Sequence, residues 1–160
     1  MTDTRTIEQA VTVEAPREQV FRALTEAEEL KRWWITDGIS EPRSGGRFRY
    51  EWRMADPSND HVQEGVYDEV ADGERIAYPW SAGPAGDTRV TFALADRDAG
   101  TEVRLTHAGF AADPALAEVH DRHVHGWQAF LANLKSVLEH GTDNRAAMGV
   151  RAASSSPASG

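Results

Sequence analysis

The chain has 160 residues, a formal net charge of −9 and no cysteine, and its length suits one domain with a buried core. The lack of cysteine excludes disulfides, thiolate nucleophiles and cysteine metal sites. The negative charge argues against a nucleic-acid partner, because phosphate-binding surfaces are rich in Lys and Arg. The sequence shows no apolar leader and no apolar run of membrane-spanning length, so we expect a cytoplasmic protein with no membrane partner.

The amino-terminal part predicts a strand followed by two short helices. Apolar and polar residues alternate over residues 7–14, as in a half-buried strand. Thr25 and Glu28 have the spacing of a capping box, which would open a second helix that ends at Trp33 and Trp34. Two adjacent tryptophans at a helix end are not expected to face the same core. We therefore expect one to pack under the sheet and the other to close a cavity mouth or to contact a partner.

Five further strands are predicted in the middle of the chain. Residues 47–54 alternate strictly between large apolar and charged side chains, which is typical of a strand with one buried face. Strands over residues 62–70, 76–80, 90–94 and 103–107 follow, and turns rich in Asp, Gly and Pro separate them. Together with the first strand they make six.

The strand over residues 62–70 fits two orientations. In one, Glu64 and Asp68 face the interior, where a carboxyl beside aromatic rings has a raised pKa and could serve as an acid. In the other, Gly65 and Tyr67 face the interior. The sequence is equally consistent with both, so no acid–base pair is assigned.

A long amphipathic helix is predicted from Pro114 to His140, because apolar residues recur there at steps of three and four. Gly141 is placed to cap it in the left-handed conformation. Gly126 inside this helix indicates close approach of another backbone or of a ligand. The remaining segment is rich in Ala, Ser and Gly and has little apolar surface to bury. We therefore predict one domain over residues 1–141 and a disordered tail over residues 142–160.

This order of elements predicts an α+β fold, in which a curved six-stranded antiparallel sheet wraps around the long carboxyl-terminal helix. The dry face of the sheet holds Tyr, Trp and His, whose polar atoms need partners when they are buried. Aromatic walls with a few polar groups are typical of small-molecule cavities, and an aromatic core without a cavity is the alternative. The candidate ligand-binding residues are Trp34, Tyr50, Trp52, Tyr78, Trp80, Phe92, His107, His123, Trp127 and Phe130.

Several segments resemble one known family. Residues 13–25 and 30–34 are similar to the opening of the SRPBCC (START-like) superfamily, and within it to the branch of the heat-shock protein 90 ATPase activator homologues. Residues 65–70, 101–110 and 126–134 agree with that branch in the expected order. The resemblance implies a helix-grip fold with a cavity between sheet and helix. Members bind apolar or aromatic small molecules or lipids, and some relatives are polyketide cyclases or aromatases.

The histidines are the candidates for chemistry. His120 and His123 share a helix face, but no carboxylate stands at the spacing of a known metalloenzyme motif, so no metal site is predicted. His107 faces inward at the end of its strand, where a buried, hydrogen-bonded imidazole is favoured over a general base. No nucleophile elbow, phosphate loop or dinucleotide fingerprint occurs, so we assign no cofactor and no catalytic residue.

These patterns favour a cofactor-free protein that binds a hydrophobic or aromatic small molecule between the sheet and the carboxyl-terminal helix, rather than an enzyme. The first alternative is a polyketide cyclase- or aromatase-like enzyme, which gains support if Glu64 or Asp68 points at His107. The second is a chaperone-associated protein-interaction module, which requires an exposed apolar patch around Trp33 and Trp34. The sequence is consistent with a monomer and with a homodimer.

Overall fold

A computed structural model describes residues 4–152 of the chain. Within this range the helices are α1 (Arg17–Thr25), α2 (Ala27–Trp33) and α3 (Ala117–His140). The strands are β1 (Thr4–Val13), β2 (Asp37–Ser40), β3 (Arg47–Trp52), β4 (His61–Val66), β5 (Glu69–Ala71), β6 (Arg75–Ser81), β7 (Asp87–Arg97) and β8 (Gly100–Ala111). No helix of residues 4–152 is long and apolar enough to cross a membrane.

The strands form two antiparallel sheets, a large one in the order β1-β8-β7-β6-β5 and a small one in the order β2-β3-β4. The chain passes from the small sheet to the large one at Tyr67 and Asp68. The Tyr67 amide donates to the Gly46 carbonyl, whereas the Asp68 amide donates to the Ala77 carbonyl in β6. The predicted strand over 62–70 is therefore two strands, and β2 is a further strand that was not predicted. The six predicted strands are thus eight in the described part of the chain. The predicted helix-grip arrangement is confirmed.

The long helix α3 packs across the inner face of the sheets. Its buried residues follow the predicted apolar stripe and include Val119, Trp127 and Leu134. The Lys135 ammonium donates to the Thr12 carbonyl of β1 at 2.7 Å, which ties the helix to the sheet. The helix ends as predicted at Gly141, whose φ of 70° is the left-handed conformation that glycine adopts without strain.

A β-bulge in β8 changes which of its side chains face the helix. Arg5 of β1 pairs with Phe110, and Thr6 pairs with Ala108, so Gly109 is the extra residue. Its φ of 101° suits glycine. Because of the bulge, His107 and Phe110 both point inward, and their rings pack with centroids 4.5 Å apart.

Thr25 does not cap α2 as predicted. It is the last residue of α1, and its hydroxyl donates back to the Phe21 carbonyl at 2.8 Å. Glu26 is the residue that precedes α2, and its side chain forms no capping hydrogen bond. The two helices are separated by a single extended residue, so the threonine side chain is directed at the helix it ends rather than at the helix that follows.

Trp33 and Trp34 are both buried, so the prediction that only one of them faces the core is wrong. Helix α2 ends at Trp33, and the backbone of Trp34 leaves the helical conformation, with φ −126° and ψ −65°. This turn brings the two indoles into a stack with centroids 5.4 Å apart. The exposed tryptophan patch that the protein-interaction alternative requires is therefore not present at these two residues, which are 0% and 2% exposed.

Residues 142–152 lie beyond the predicted boundary at residue 141, and they pack on the domain. Arg145 and Val150 are 2% and 4% exposed. The Arg145 guanidinium pairs with Asp143 at 2.8 Å and donates to the Ile35 carbonyl at 2.7 Å. Residues 149–151 run beside residues 53–55 through two backbone hydrogen bonds. One arginine and a short backbone pairing thus order a segment whose composition predicts disorder, and residues 153–160 of the predicted tail lie outside the described residues.

Candidate functional site

A cavity of about 490 Å³ lies between α3 and the inner faces of the two sheets. Its wall combines Trp34 after α2, Trp52 at the end of β3, residues 80–84 at the end of β6, one face of α3 and Val150. The mouth is formed by exposed residues, which are Asn59, His61, Gly83, Pro84 and Arg122. The volume is within the range of about 300–1,000 Å³ typical of small-molecule sites.

The structure brings six of the ten predicted site residues together in the cavity wall. These are Trp34, Trp52, Trp80, His123, Trp127 and Phe130. The other four, Tyr50, Tyr78, Phe92 and His107, are fully buried in the core and are not part of the wall. They share the inner face of the sheets with the wall residues, but they lie one layer deeper.

Trp34 is at the centre of the aromatic wall. Its ring centroid lies 5.2 Å from that of Trp52, 5.4 Å from that of Trp127 and 5.9 Å from that of Trp80. Its ring is stacked on Trp80 and edge-on to Trp52, two arrangements that aromatic pairs prefer. The tight backbone turn after α2 therefore supplies the ring that joins the two sheets and the helix at the base of the cavity.

His107 is held from both sides behind the wall. The Trp127 indole N–H donates to His107 Nδ1 at 2.9 Å. On the other side, His107 Nε2 lies 2.7 Å from the Thr88 hydroxyl, which donates its own hydrogen to the Trp80 carbonyl. Because a hydroxyl has one hydrogen, the proton of the imidazole must sit on Nε2 and be donated to Thr88. Both ring nitrogens are therefore occupied, and His107 is not available as a general base.

Burial lowers the pKa of His107 to about 3, and the nearby His123 and His120 side chains lower it in the same direction. The imidazole therefore stays neutral over the physiological range of pH. This outcome matches the buried, hydrogen-bonded histidine favoured from the sequence.

The tyrosines form a separate hydrogen-bonded chain inside the core. Ser40 donates to the Thr25 carbonyl, so Tyr67 donates to Ser40 and Tyr50 donates to Tyr67. Burial raises the pKa of Tyr50 well above its usual value, so its phenol stays protonated. The hydroxyls of Tyr50 and Tyr67 are thus directed toward the turn between α1 and α2 and not toward the cavity.

Two histidines on the cavity wall have fixed tautomers. His123 Nδ1 donates to the Val119 carbonyl at 2.8 Å, and Nε2 accepts from the Trp80 indole at 3.3 Å. At the mouth, the side-chain amide of Gln63 donates to His61 Nε2 at 2.8 Å. The hydrogen of His61 is therefore on Nδ1, and burial lowers the pKa of this histidine, with the neighbouring His123 acting in the same direction.

The orientation of the strand over residues 62–70 is now settled. Gln63 and Tyr67 are buried, whereas the side chains of Glu64 and Asp68 are 69% and 47% exposed. Glu64 pairs with Arg49 at 3.6 Å, and Asp68 pairs with Arg89 at 3.7 Å. Neither carboxylate points at His107. Within residues 4–152 no cluster of three or more His, Asp or Glu side chains is placed to hold a metal ion.

Several wall residues are missing from the sequence prediction. Val119 and Arg122 follow the three- and four-residue steps that lead to His123 and Phe130, so the helix periodicity contains the signal needed to find them. Gly126, where the sequence predicts close approach of a backbone or of a ligand, also lines the cavity. The site around Gly126 is open, since a Cβ built there would meet nothing within 4 Å. The other missed residues lie at strand ends, in turns and in the carboxyl-terminal segment; they are Met54, Asn59, His61, Ser81, Ala82, Gly83, Pro84 and Val150.

The comparisons with known proteins agree with this geometry. Residues 14–139 match the family described as Activator of Hsp90 ATPase homolog 1-like protein. The chain belongs to this family. The match spans the described domain from the end of β1 to the end of α3, and the family is a branch of the SRPBCC superfamily that the sequence resembles. No curated protein matches the chain.

Solved structures show the fold of this Activator of Hsp90 ATPase homolog 1-like chain in other proteins. Protein SSP2350 from Staphylococcus saprophyticus is 26% identical, with a TM-score of 0.73 over 88% of this chain and 96% of its own. The Aha1 dimer from Colwellia psychrerythraea is 22% identical, with a TM-score of 0.70 over 86% and 98% of the two chains. DynU16, from the dynemicin biosynthetic locus, is 21% identical with a TM-score of 0.70, and the match covers 86% of this chain and 48% of DynU16. The last two show a shared fold alone.

Proposed function

We propose that this protein binds a hydrophobic or aromatic small molecule in the cavity between α3 and the sheets. The observation that supports the proposal is a 490 Å³ space walled by tryptophans from both sheets, from the end of α2 and from the long helix. The rings pack on one another, as the contacts of Trp34 show, yet they leave this space unfilled. Gly126, the one helix position without a side chain, faces this open space.

The hydrogen bonds behind the wall support binding rather than catalysis. The imidazoles of His107 and His123 each have both nitrogens engaged by protein groups. The carboxylates that a cyclase-like mechanism would use, Glu64 and Asp68, point to solvent and pair with arginines. The polar atoms near the cavity therefore mainly fix the wall, and the aromatic surface supplies the affinity.

Ligand binding is testable with a variant that fills the cavity and leaves the fold intact. In Gly126→Leu the new side chain occupies the open space at a helical position, whereas Gly126→Ala adds one methyl group and serves as the matched control. We expect flavonoids, aromatic polyketides or fatty acids to bind the wild type and the Ala variant in calorimetric titrations. A bound ligand at a hundred times its Kd should add about 2.7 kcal/mol to the free energy of unfolding.

Two outcomes would contradict the proposal. The first is a complete panel without a binder. The second is a ligand that binds the Leu variant as tightly as the wild type, because such a ligand would occupy another surface. Circular dichroism of both variants establishes that loss of binding does not reflect loss of the fold.

The proposal includes self-association and a cytoplasmic location. Self-association is supported by the solution structure of the Aha1 dimer, which has the same fold, and by three exposed apolar side chains on the small sheet, Ile39, Val62 and Val66. Light scattering at several concentrations measures the molar mass directly, and a constant mass of 17.6 kDa would exclude the dimer. Cell fractionation tests the location.

A further inference from the structure

Acidic side chains are missing from the cavity wall, although the chain as a whole is strongly acidic. The sequence has 26 Asp and Glu residues against 17 Lys and Arg. None of the described residues that line the cavity is Asp or Glu, whereas the wall includes Arg122, His61 and His123. Because a lowered pKa keeps both histidines neutral, Arg122 supplies the positive charge of the site, and the site lacks the carboxylates that would bind a cationic ligand.

Trp52 places an unused hydrogen-bond donor at this site. Its side chain lines the cavity and the residue is 5% exposed. Among the described residues, its indole N–H is the single buried side-chain polar atom without a hydrogen-bond partner. By contrast, the indole N–H of Trp80 donates to His123, and that of Trp127 donates to His107. A buried donor without a partner is costly, and this one is shielded from solvent, so a ligand acceptor reaches it only with a shift of the indole against the cavity.

The other polar groups at the cavity mouth also offer hydrogen-bond donors. The Nε2 atom of His61 already accepts from Gln63, which leaves its Nδ1 hydrogen for another partner. Arg122 is exposed, and no ion pair involves it within residues 4–152. Arg122 lines the cavity next to His123, so its guanidinium lies at the wall itself.

Building on the proposed function, we infer that the ligand is an aromatic anion, whose acceptor atom receives the Trp52 indole N–H and whose negative charge lies near Arg122. An aryl carboxylate or a phenolate has this chemistry. A neutral aromatic with one acceptor would satisfy Trp52 but not Arg122. An aromatic cation would satisfy neither.

Three naphthalene compounds of one shape separate these cases, namely 2-naphthoate, 2-naphthamide and 2-naphthylmethylammonium. In calorimetric titrations of the wild type we expect the carboxylate to bind about fivefold more tightly than the amide, as for one partly exposed ion pair. The cation should bind most weakly. Arg122→Gln should reduce the ratio of carboxylate to amide affinity to about one, whereas Arg43→Gln, in an exposed loop, should keep it.

Trp52→Phe keeps an aromatic ring and removes the donor. It should lower the affinity for the carboxylate and for the amide about tenfold, which is the effect of losing one hydrogen bond to a buried group. The affinity for the cation should stay unchanged. Because the smaller ring leaves a void beside Trp34 and Trp80, the ligand-free variant should unfold at a lower temperature than the wild type. Equal weakening of all three compounds would show a purely structural tryptophan.

The outcomes distinguish the two proposals. If the amide or the cation binds as tightly as the carboxylate, the inference is overturned and the aromatic cavity stands. If the carboxylate preference survives Arg122→Gln, the assignment of the charge to Arg122 is overturned. If none of the three compounds binds the wild type or protects it from unfolding, both the inference and the proposed function fail for aromatic ligands of this size.

Discussion

Because His107 is neutral and hydrogen-bonded at both ring nitrogens, we predict that the protein loses stability in mild acid. In the folded protein its pKa is about 3, whereas an imidazole in the unfolded chain has a pKa near 6.5. As the pH falls below about 6.5, the unfolded chain binds a proton at this imidazole and the folded protein does not, so the free energy of unfolding decreases. Between pH 6.5 and pH 5 the loss is about 2 kcal/mol, because each pH unit is worth about 1.4 kcal/mol in this interval.

The assay is urea unfolding at pH 7 and pH 5 of the wild type and of His107→Gln. Glutamine can accept from Trp127 and donate to Thr88, but it does not titrate. The carboxylates with lowered pKa, such as Glu139 and Asp143, respond mainly below pH 5 and are the same in both proteins. We expect the variant to lose about 2 kcal/mol less than the wild type. Equal losses in the two proteins would refute the neutral state and the bonding assigned to His107.

Three substitutions test other parts of the packing. Gly126→Ala should raise the free energy of unfolding by about 1 kcal/mol, the helix-propensity difference, because the added methyl group meets no other atom. Arg145→Ala should lower it by about 2–3 kcal/mol, since the Ile35 carbonyl and Asp143 lose their charged donor. Trp127→Phe should lower it by about 1–3 kcal/mol, because a buried acceptor nitrogen of His107 is left unbonded. Urea unfolding at pH 7 measures all three.

The glycine and arginine predictions each have a control within the chain. Gly109→Ala, at a positive φ, should destabilise where Gly126→Ala stabilises. Arg43→Ala, with an exposed side chain, should change stability by less than about 0.5 kcal/mol. A destabilised Gly126→Ala would contradict the open space at that position, and a neutral Arg145→Ala would contradict the docking of the carboxyl-terminal segment. A neutral Trp127→Phe would contradict its bond to His107.

The sequence predicts which strand residues face the interior, but it does not predict which of them border the cavity. Alternation correctly places Tyr50 and Trp52 on one buried face, because side chains in a strand point to opposite sides at every step. Whether such a residue borders a cavity or fills the core depends on its distance from α3. Tyr50 and Trp52 differ in this respect although they have the same phase, and no local pattern distinguishes them.

Errors occurred where a single residue or contact overrides the local pattern. Trp34 is buried because the backbone turns at the end of α2, and a helical projection cannot anticipate that turn. Residues 142–152 have the composition of a tail, yet Arg145 reaches the Ile35 carbonyl, which is 110 residues away in sequence. Such long-range hydrogen bonds depend on the assembled fold, so neither composition nor periodicity contains them.

The contacts of Trp34 have an optical consequence. All five tryptophans of the chain are in one network, since Trp34 is within 6 Å of each of the other four rings. At such separations the excited states of indoles couple, and excitation energy migrates between the rings faster than it is emitted. The near-ultraviolet dichroism of the protein should therefore contain exciton features. The five tryptophans should also be quenched together, so that one quencher in contact with any of these rings lowers the emission of all five.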